Sequence, residues 1–196
     1  VGRRLTVAIT DNHMSRRLAT STLFLVGSQA MYNGGLAVEF ALIVSWFDDT
    51  SQGSYSIALG LASLFEVGVH WGSQYLVNRE AAARFDTLKE RLPSLFAASL
   101  LTILCVGTAI TGVYGWPMAV IAVAALTRAG AMLLGAICIG RGEILAPVTA
   151  RILSPVLALG VMLVWVRNDP TLVGLALVTV AATLGYAGPV WVATQK

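Results

Sequence analysis

Residues Pro117–Ile139 read PMAVIAVAALTRAGAMLLGAICI, and Arg128 is the only charged residue in this stretch. The hydrocarbon core of a bilayer requires about 20 apolar residues at a rise of about 1.5 Å per residue, so the stretch is long enough to cross it. Within hydrocarbon, each backbone N–H and C=O group must be paired inside its own segment, which a helix achieves and an isolated strand does not. The stretch therefore predicts a transmembrane helix that carries one cation.

Similar apolar stretches lie on both sides of this one. Together, the predicted spans are Thr20–Phe47, Ser54–Val77, Leu92–Tyr114, Pro117–Ile139, Leu145–Val166 and Thr171–Ala193. The composition agrees, because 57% hydrophobic and 12% charged residues leave too little polar surface to cover a water-soluble chain of 196 residues. We therefore expect an all-α fold: a polytopic integral membrane domain of six helices over residues 20–196, preceded by a basic cytoplasmic tail over residues 1–19.

The arginine and lysine residues outside these spans predict the orientation of the chain, because positively charged connections stay in the cytoplasm. Alternate connections hold Arg3, Arg4, Arg16 and Arg17 before the first span, Arg79, Arg84, Lys89 and Arg91 after the second, Arg141 after the fourth and Lys196 after the sixth. The intervening connections contain Asp48 and Asp49, then Gly115 and Trp116, then Arg167 near Asp169. This asymmetry predicts a multi-pass protein of the cell membrane with both termini in the cytoplasm, and it accounts for the basic residues without a nucleic-acid partner.

Several chemistries are disfavoured by the residues that the chain lacks. Lys89 and Lys196 are the only lysines, and neither lies in a glycine-rich phosphate loop, so nucleotide hydrolysis by that route is excluded. The two histidines lie in different segments, too far apart to share a zinc site with the cysteines. Cys105 and Cys138 fall inside predicted spans, where we expect buried, unreactive thiols. We therefore predict no catalytic residue, no metal site and no cofactor, and we do not expect an enzyme.

Glu39, Glu66, Arg128 and Arg151 are the charged side chains that we expect inside the bilayer. Each is energetically costly there unless it faces a partner or a wet cavity. Counted along the helices, Glu66 lies about 18 Å, Arg128 about 16 Å and Glu39 about 13 Å from the external ends of their spans. Arg151 lies about 12 Å above the cytoplasmic edge. Two interpretations remain open: a buried Glu66–Arg128 ion pair that pins the bundle, or a polar cavity lined by these side chains, which we favour.

The first span contains two consecutive glycines, Gly34 and Gly35, directly after Asn33. Glycine has no side chain to restrict the backbone and it weakens a helix, so a pair of glycines commonly marks a kink. We therefore predict a hinge at Gly34 and Gly35.

Three short motifs around the second span resemble a known family. They are Gly53-Ser-Tyr55-Ser-Ile-Ala-Leu-Gly60, Leu64-Phe65-Glu66-Val67-Gly68 and Val77-Asn78-Arg79-Glu80-Ala81. In these motifs the chain is similar to polysaccharide flippases of the Wzx type, which belong to the multidrug/oligosaccharidyl-lipid/polysaccharide exporter superfamily. In that family a glycine-tyrosine turn enters the second helix, an acidic-x-Gly unit interrupts it, and an Arg-Glu pair closes it on the cytoplasmic side. The basic tail, the glycine-broken first helix and the six-helix pattern resemble one lobe of such a transporter.

This resemblance implies a substrate and a reaction. The substrate is an oligosaccharide linked through pyrophosphate to a polyprenyl lipid, and its polar head is moved across the membrane without covalent chemistry. Arg128 and Arg151 are our candidates for binding the pyrophosphate, because of their depth and because arginine donates paired hydrogen bonds to phosphate oxygens. Glu66 matches the family's acidic position, and with Glu39 it is expected to line the cavity or to couple transport to an ion.

The chain differs from these flippases because they enclose their cavity between two lobes, whereas this sequence contains one. One lobe cannot rock against itself, so we expect a partner in the membrane, either a missing C-terminal lobe or a second copy of the chain. Two other functions remain open. A cation-coupled drug or metabolite antiporter of the same superfamily would use Glu39 and Glu66 as ion sites. A non-transporting membrane scaffold would use Glu66 and Arg128 only as a structural pair.

Overall fold

The computed structural model describes residues 2–70, 101 and 104–195, with side chains described from residue 19 to 64 in the first of these ranges. Over these residues the chain forms helices joined by short connections, and no strand occurs among them. The α-helices are α1 (Gly2–Trp46), α2 (Asp49–His70), α3 (Leu104–Tyr114), α4 (Trp116–Gly140), α5 (Leu145–Val161) and α6 (Leu172–Thr194). A π-helical turn, Met162–Val166, continues α5. The predicted all-α fold is confirmed for this part of the chain.

Three helices are long and apolar enough to cross a membrane: α4, α5 with its π-helical turn, and α6. They coincide within a residue or two with the predicted spans Pro117–Ile139, Leu145–Val166 and Thr171–Ala193. In the described residues, α1 and α2 carry too many polar residues to join this group, and α3 is shorter. The structure therefore shows three candidate membrane spans, and the count of six stays a prediction.

Helix α1 joins the basic tail and the first predicted span without interruption. Its 45 residues correspond to a length of about 68 Å, far more than the hydrocarbon thickness of about 30 Å. The helix assignment continues through Gly34 and Gly35, and the hinge predicted there stays a prediction. A Cβ atom on Gly35 would collide with the ring of Pro155 in α5, whereas one on Gly34 would meet nothing within 4 Å. Gly35 therefore permits close contact between α1 and α5.

Helices α5 and α6 pack together through a second glycine. A Cβ atom on Gly185 of α6 would lie 2.9 Å from both the Leu153 carbonyl oxygen and the Ser154 Cα of α5. Small residues at a helix interface permit backbones to approach this closely. The two helices run antiparallel, because Gly174 near the start of α6 lies against Val166 at the end of the π-helical turn.

The short connections place the helix ends at two levels. At one level α1 ends at Trp46, α4 begins at Trp116, and Trp165 lies in the π-helical turn; we call this level the tryptophan end. At the other level α4 ends and α5 begins, and the Arg141 guanidinium lies 3.6 Å from the Glu143 carboxylate. We call this second level the arginine end.

Buried apolar side chains form two clusters that follow these two levels. The larger cluster lies toward the tryptophan end and includes Ile43, Phe47, Met118, Ile121, Met162 and Leu175. The smaller cluster lies toward the arginine end and comprises Tyr32, Ala131, Cys138, Ala150, Tyr186 and Val190. The first cluster combines bulky apolar side chains with seven alanines, whereas the second contains two tyrosines and several small residues.

The two cysteines differ in their surroundings. Cys138 of α4 is buried, as predicted, but Cys105 of α3 is exposed, and both are free thiols. The expectation of two buried thiols was therefore wrong for Cys105. The buried residues of α3 are Val106, Gly107 and Ile110, which share one helix face. Cys105 lies outside this face.

Candidate functional site

A buried carboxyl group lies between α1 and α2. Glu39 belongs to the inward face of α1, in register with the buried residues Ile43 and Phe47 at intervals of four. The Tyr55 hydroxyl of α2 donates a hydrogen bond of 3.1 Å to Glu39 Oε1. The Thr179 hydroxyl of α6 lies beside Tyr55, and its own hydrogen goes to the Leu175 carbonyl at 2.9 Å. We call Glu39, Tyr55 and Thr179 the carboxylate centre.

The carboxylate centre contains one unmet hydrogen-bonding group. Glu39 is only 5% exposed, and its Oε2 atom has no hydrogen-bond partner in the part of the chain that the structure describes. The second oxygen of a buried carboxylate is costly to leave without a donor, because it gives up water and receives nothing in exchange. The orphaned oxygen therefore marks a position that a proton or a cation would stabilise.

Arg128 of α4 is the arginine whose charge acts on this centre. Its positive charge acts on both Glu39 and Tyr55. Among the described residues, however, the only carboxylate within ion-pairing distance of an arginine is Glu143, which pairs with Arg141. The Arg128 charge also acts on the Tyr186 hydroxyl of α6. The charge of Arg128 therefore influences both the carboxylate centre and a second polar region around Tyr186.

That second region is a cavity of about 250 Å³ between α1, α4, α5 and α6. Its walls consist of small or apolar residues with four polar side chains among them. They are Gln29, Tyr32, Met132, Gly135, Ala136, Ile139, Pro147, Arg151 and Tyr186. We call this space the arginine cavity, because Arg151 is the charged residue in its described wall.

Arg151 is held by contacts with two other helices. Its Nη1 atom donates a hydrogen bond of 3.2 Å to the Leu25 carbonyl of α1, and the guanidinium also interacts with the Tyr186 hydroxyl. The Tyr186 ring meets the Tyr32 ring edge to face, with 6.1 Å between centroids and 68° between planes. Pro155, one turn further along α5, has no N–H to donate to the Arg151 carbonyl, so the helix ladder is interrupted beside the cavity.

Glycine leaves room for the arginine cavity. A Cβ atom on Gly135 would lie 3.5 Å from the Tyr186 hydroxyl and 3.8 Å from Pro147 Cβ. A larger side chain at this position would fill the space in front of Arg151. The cavity is therefore a consequence of residue size on α4 as well as of the charge on α5.

A separate groove between α3, α4 and α6 has a different chemistry. It measures about 840 Å³, and no charged side chain lies among its described lining residues. Its hydroxyl groups belong to threonines that donate to backbone carbonyls. Within their own helices, Thr108 donates to Leu104, Thr111 to Gly107 and Thr127 to Val123, at 2.7–2.8 Å, and Thr183 of α6 lies 2.9 Å from the Ala124 carbonyl of α4 and 2.8 Å from the Thr179 carbonyl. Because these hydroxyls are already paired, the groove presents mainly hydrocarbon.

The residues that we predicted for the site are distributed unevenly. Arg151 lines the cavity and Glu39 belongs to the carboxylate centre, whereas Arg128 is not among the cavity's described lining residues and forms no ion pair with a described carboxylate. Glu66 lies in α2, but its side chain is outside the described residues, so its predicted pairing with Arg128 stays a prediction. Gly34 and Gly35 lie in the continuous part of α1 and line neither region.

Sequence reasoning missed the neutral partners of these charged residues. Tyr55 was noted only as part of a motif, and Tyr32, Thr179 and Tyr186 were not noted at all. A signal was present, since polar groups inside an apolar span usually find partners, and tyrosine has a hydroxyl to satisfy. Which partners they find depends on helix rotation, which the residue order does not report.

Comparison with known proteins identifies no relative of this chain. No family model matches the chain, and no curated protein or solved structure matches it either. Of the three motifs that resemble Wzx-type flippases, the first lies in α2 and contributes Tyr55 to the carboxylate centre. The third, Val77–Ala81, lies outside the described residues. The chemistry of the two polar regions therefore carries the functional argument.

Proposed function

We propose that this chain crosses the cell membrane six times, with both termini in the cytoplasm, and moves the polar head of a polyprenyl-pyrophosphate-linked oligosaccharide across it. The observation that carries the proposal is Arg151 in the arginine cavity. Its guanidinium lies beside apolar helices that are long enough to cross a bilayer, and the two contacts described for it are with a carbonyl and a hydroxyl. A cation in such a place is stabilised by an anionic partner, and pyrophosphate provides one.

The size of the cavity supports binding of the charged group alone. Sites for drug-sized ligands usually measure about 300–1,000 Å³, and the arginine cavity, at about 250 Å³, is smaller. It is suited to a pyrophosphate with part of its first sugar, next to the rings of Tyr32 and Tyr186. The remaining wall of a full transport pathway would come from a second lobe or a second copy of the chain.

The proposed orientation is supported by residues at the helix ends. Arg141 supports a cytoplasmic position for the arginine end by the positive-inside rule. Exposed tryptophans, Trp116 and Trp165 at the opposite end and Trp191 near the end of α6, suit the two membrane interfaces. In this orientation the arginine cavity lies in the cytoplasmic half of the membrane, and the carboxylate centre lies in the outer half.

One observation favours a second candidate function, cation-coupled antiport of a drug or metabolite. Glu39 is buried with an unpartnered oxygen, as a carboxyl that binds a proton or a monovalent cation would be. The two candidates differ in which side chain matters more. Antiport depends chiefly on Glu39, whereas movement of a pyrophosphate depends chiefly on Arg151.

The proposal is tested by polysaccharide export in a bacterium that lacks its own flippase. We expect the wild-type chain to restore export, Arg151→Ala to abolish it, and Arg167→Ala, which removes an exposed arginine outside the cavity, to retain it. Arg151→Lys keeps the positive charge and is the control for membrane insertion. All variants are compared at equal abundance in the membrane. Export that survives Arg151→Ala would contradict the proposed role of the arginine cavity, and no export by any variant across several glycan types would refute the flippase.

A further inference from the structure

We infer that the side-chain amides of Gln29 and Asn33 in α1 form the sugar-binding part of the arginine cavity, where they bind hydroxyl or acetamido groups of the first sugar of the substrate. The inference rests on the proposed function, because this sugar is the one attached to the pyrophosphate. It deepens that function by assigning the side chains that distinguish a glycosylated lipid from the bare lipid pyrophosphate.

The first observation is a pair of amides held together on α1. Gln29 Nε2 donates a hydrogen bond of 3.0 Å to Asn33 Oδ1, one helical turn further along the chain. In the described residues, neither side chain has a further hydrogen-bond partner. A side-chain amide has a carbonyl oxygen and two N–H groups, so the Gln29 oxygen and both N–H groups of Asn33 remain for a ligand.

The second observation is where this pair lies. Gln29 is partly buried in the wall of the arginine cavity, and Asn33, one turn beyond it, is exposed. Leu25, whose carbonyl accepts the hydrogen bond from Arg151, lies one turn before Gln29. Four residues of helix rise about 6 Å, so the arginine contact and the two amides occupy three successive levels along α1. A ligand that is anchored at Arg151 and extends along α1 therefore meets both amides.

The chemistry of these levels suits a sugar. Hydroxyl and acetamido groups both donate and accept hydrogen bonds, as a side-chain amide does. The rings of Tyr32 and Tyr186 in the same wall provide apolar surface for the C–H groups of a sugar ring. The cavity thus combines a guanidinium, two aromatic rings and an amide pair, which match the phosphate, the C–H groups and the polar groups of a glycosylated pyrophosphate.

The amide pair is costly without a polar partner. A side-chain amide in an apolar surrounding gives up its hydrogen bonds with water, and the bond between Gln29 and Asn33 replaces only part of them. Other polar side chains of the bundle solve this problem within their own helix, as Thr108 and Thr111 do by donating to backbone carbonyls. The amides of α1 have no such bond to a described carbonyl, and Gln29 faces the cavity instead.

A comparison of two probes isolates the sugar contact. In the proposed site Arg151 binds the pyrophosphate, so a lipid pyrophosphate with a sugar and one without a sugar share that contact. A change in the arginine, or in the amount of folded protein, affects both probes alike. The ratio of their dissociation constants therefore reports the contribution of the amides.

Three variants test this ratio. Gln29→Met keeps a long side chain but removes the amide, and should reduce the preference for the glycosylated probe by about tenfold, as expected for loss of one hydrogen bond. Asn33→Leu removes the oxygen that orients Gln29 and should reduce the preference less. Ser45→Ala removes an exposed hydroxyl from the same helix, outside the cavity, and should keep the wild-type ratio.

The experiment is titration calorimetry of the full chain in lipid nanodiscs. The probes are farnesyl pyrophosphate and the same lipid pyrophosphate carrying glucose or N-acetylglucosamine. We expect the wild type to bind both glycosylated probes more tightly than farnesyl pyrophosphate. A larger gain with N-acetylglucosamine would identify the acetamido group as the one that is bound, and equal gains would identify the hydroxyl groups.

The possible failures are distinguishable. Equal binding of all probes by the wild type, which needs no variant, overturns the sugar site and leaves the proposed function in place. A preference that survives in both Gln29→Met and Asn33→Leu does the same, and is the result expected of amides that only pack against another helix. Absence of binding of any probe by the wild type overturns the proposed function and the sugar site together.

Discussion

The carboxylate centre and the arginine cavity lie in one helical bundle, yet one is closed and the other is open. Around Glu39, large side chains such as Ile43 and Phe47 fill the space, and the carboxyl is 5% exposed. Around Arg151, Gly135 and Ala136 leave a cavity of about 250 Å³. The difference shows that residue size, more than residue charge, decides which polar group in this bundle can meet a ligand.

The same comparison separates two physical roles for a tyrosine hydroxyl. The Tyr55 hydroxyl satisfies a buried carboxyl that has no other described donor. The Tyr186 hydroxyl accompanies a guanidinium that has a second partner, the Leu25 carbonyl. Loss of the first hydroxyl should therefore affect folding, whereas loss of the second should affect binding.

The largest expected effect comes from overpacking the contact between α5 and α6. Gly185→Ala places a Cβ atom 2.9 Å from the backbone of Leu153 and Ser154, and should destabilise the protein by about 1–3 kcal/mol because α5 must move away from α6. Thermal unfolding in detergent measures this change. Gly188→Ala is the matched control, since its Cβ atom meets nothing within 4 Å, and equal melting temperatures of the two variants would contradict the packing.

A second substitution tests the closed region. Tyr55→Phe leaves the buried Glu39 carboxyl without its described donor and should destabilise the protein by about 1–3 kcal/mol. Tyr114→Phe removes the same atom from an exposed tyrosine and should change stability little. The two variants are compared by chemical denaturation in detergent, and a Tyr55→Phe chain as stable as Tyr114→Phe would show that Glu39 is satisfied in another way.

The same substitution of phenylalanine for tyrosine in the open region should affect binding more than stability. Tyr186→Phe removes the hydroxyl beside Arg151 and should weaken binding of farnesyl pyrophosphate by about tenfold, as expected for loss of one hydrogen bond to a charged group. Stability should change less than in Tyr55→Phe, because Arg151 keeps its bond to Leu25. Calorimetry gives the affinity, and unchanged binding would remove Tyr186 from the site.

The smallest expected effect lies outside both regions, at the connection between α1 and α2. Hydrogen bonds from the Ser51 hydroxyl at 2.6 Å, the Ser51 N–H and the Thr50 N–H hold the pKa of Asp48 below its ordinary value of 3.8. The stabilisation that Asp48 provides is therefore complete above pH 3.8 and is lost as the pH falls through the lowered pKa.

Asp48→Asn keeps a side-chain oxygen that can accept hydrogen bonds at the start of α2, but it has no carboxyl group to titrate. Its melting temperature should therefore fall less than that of the wild type on acidification. Asp169→Asn, in the connection before α6, serves as the control. Parallel acid profiles for the wild type and Asp48→Asn would contradict the role of these hydrogen bonds.

The three apolar helices could be predicted closely from the sequence. The sixth span was expected to begin at Thr171, and α6 begins one residue later, at Leu172. The Thr171 side chain accepts a hydrogen bond from the Gly174 N–H at 3.3 Å and so caps the helix. Long apolar runs end where polar or glycine residues begin, so their bounds follow from composition. The continuity of α1 from Gly2 to Trp46 was not predicted, because no property of the tail distinguishes a helix from an extended segment.

Counting depth does not decide which charged residues pair. Depth placed Arg128 nearest Glu66 and ranked Glu39 lower, and the Glu66–Arg128 pairing stays a prediction because the Glu66 side chain lies outside the described residues. Two helices at one depth can face each other or face apart, and only their rotation and neighbours decide which. The same limit hid Tyr55, whose hydroxyl reaches Glu39 from the adjoining helix.

The central claim, that Arg151 in the open region carries a pyrophosphate head across the membrane, is tested most directly in liposomes that contain the full chain. A fluorescent polyprenyl-pyrophosphate oligosaccharide is placed in both leaflets, and a membrane-impermeant reagent quenches the fluorescence that reaches the outer leaflet. We predict that the wild type and Arg167→Ala render the inner-leaflet lipid quenchable, while Arg151→Ala leaves it protected, as in liposomes without protein. Equal quenching by the wild type and Arg151→Ala, or none above protein-free liposomes by an inserted wild-type chain, would contradict the claim.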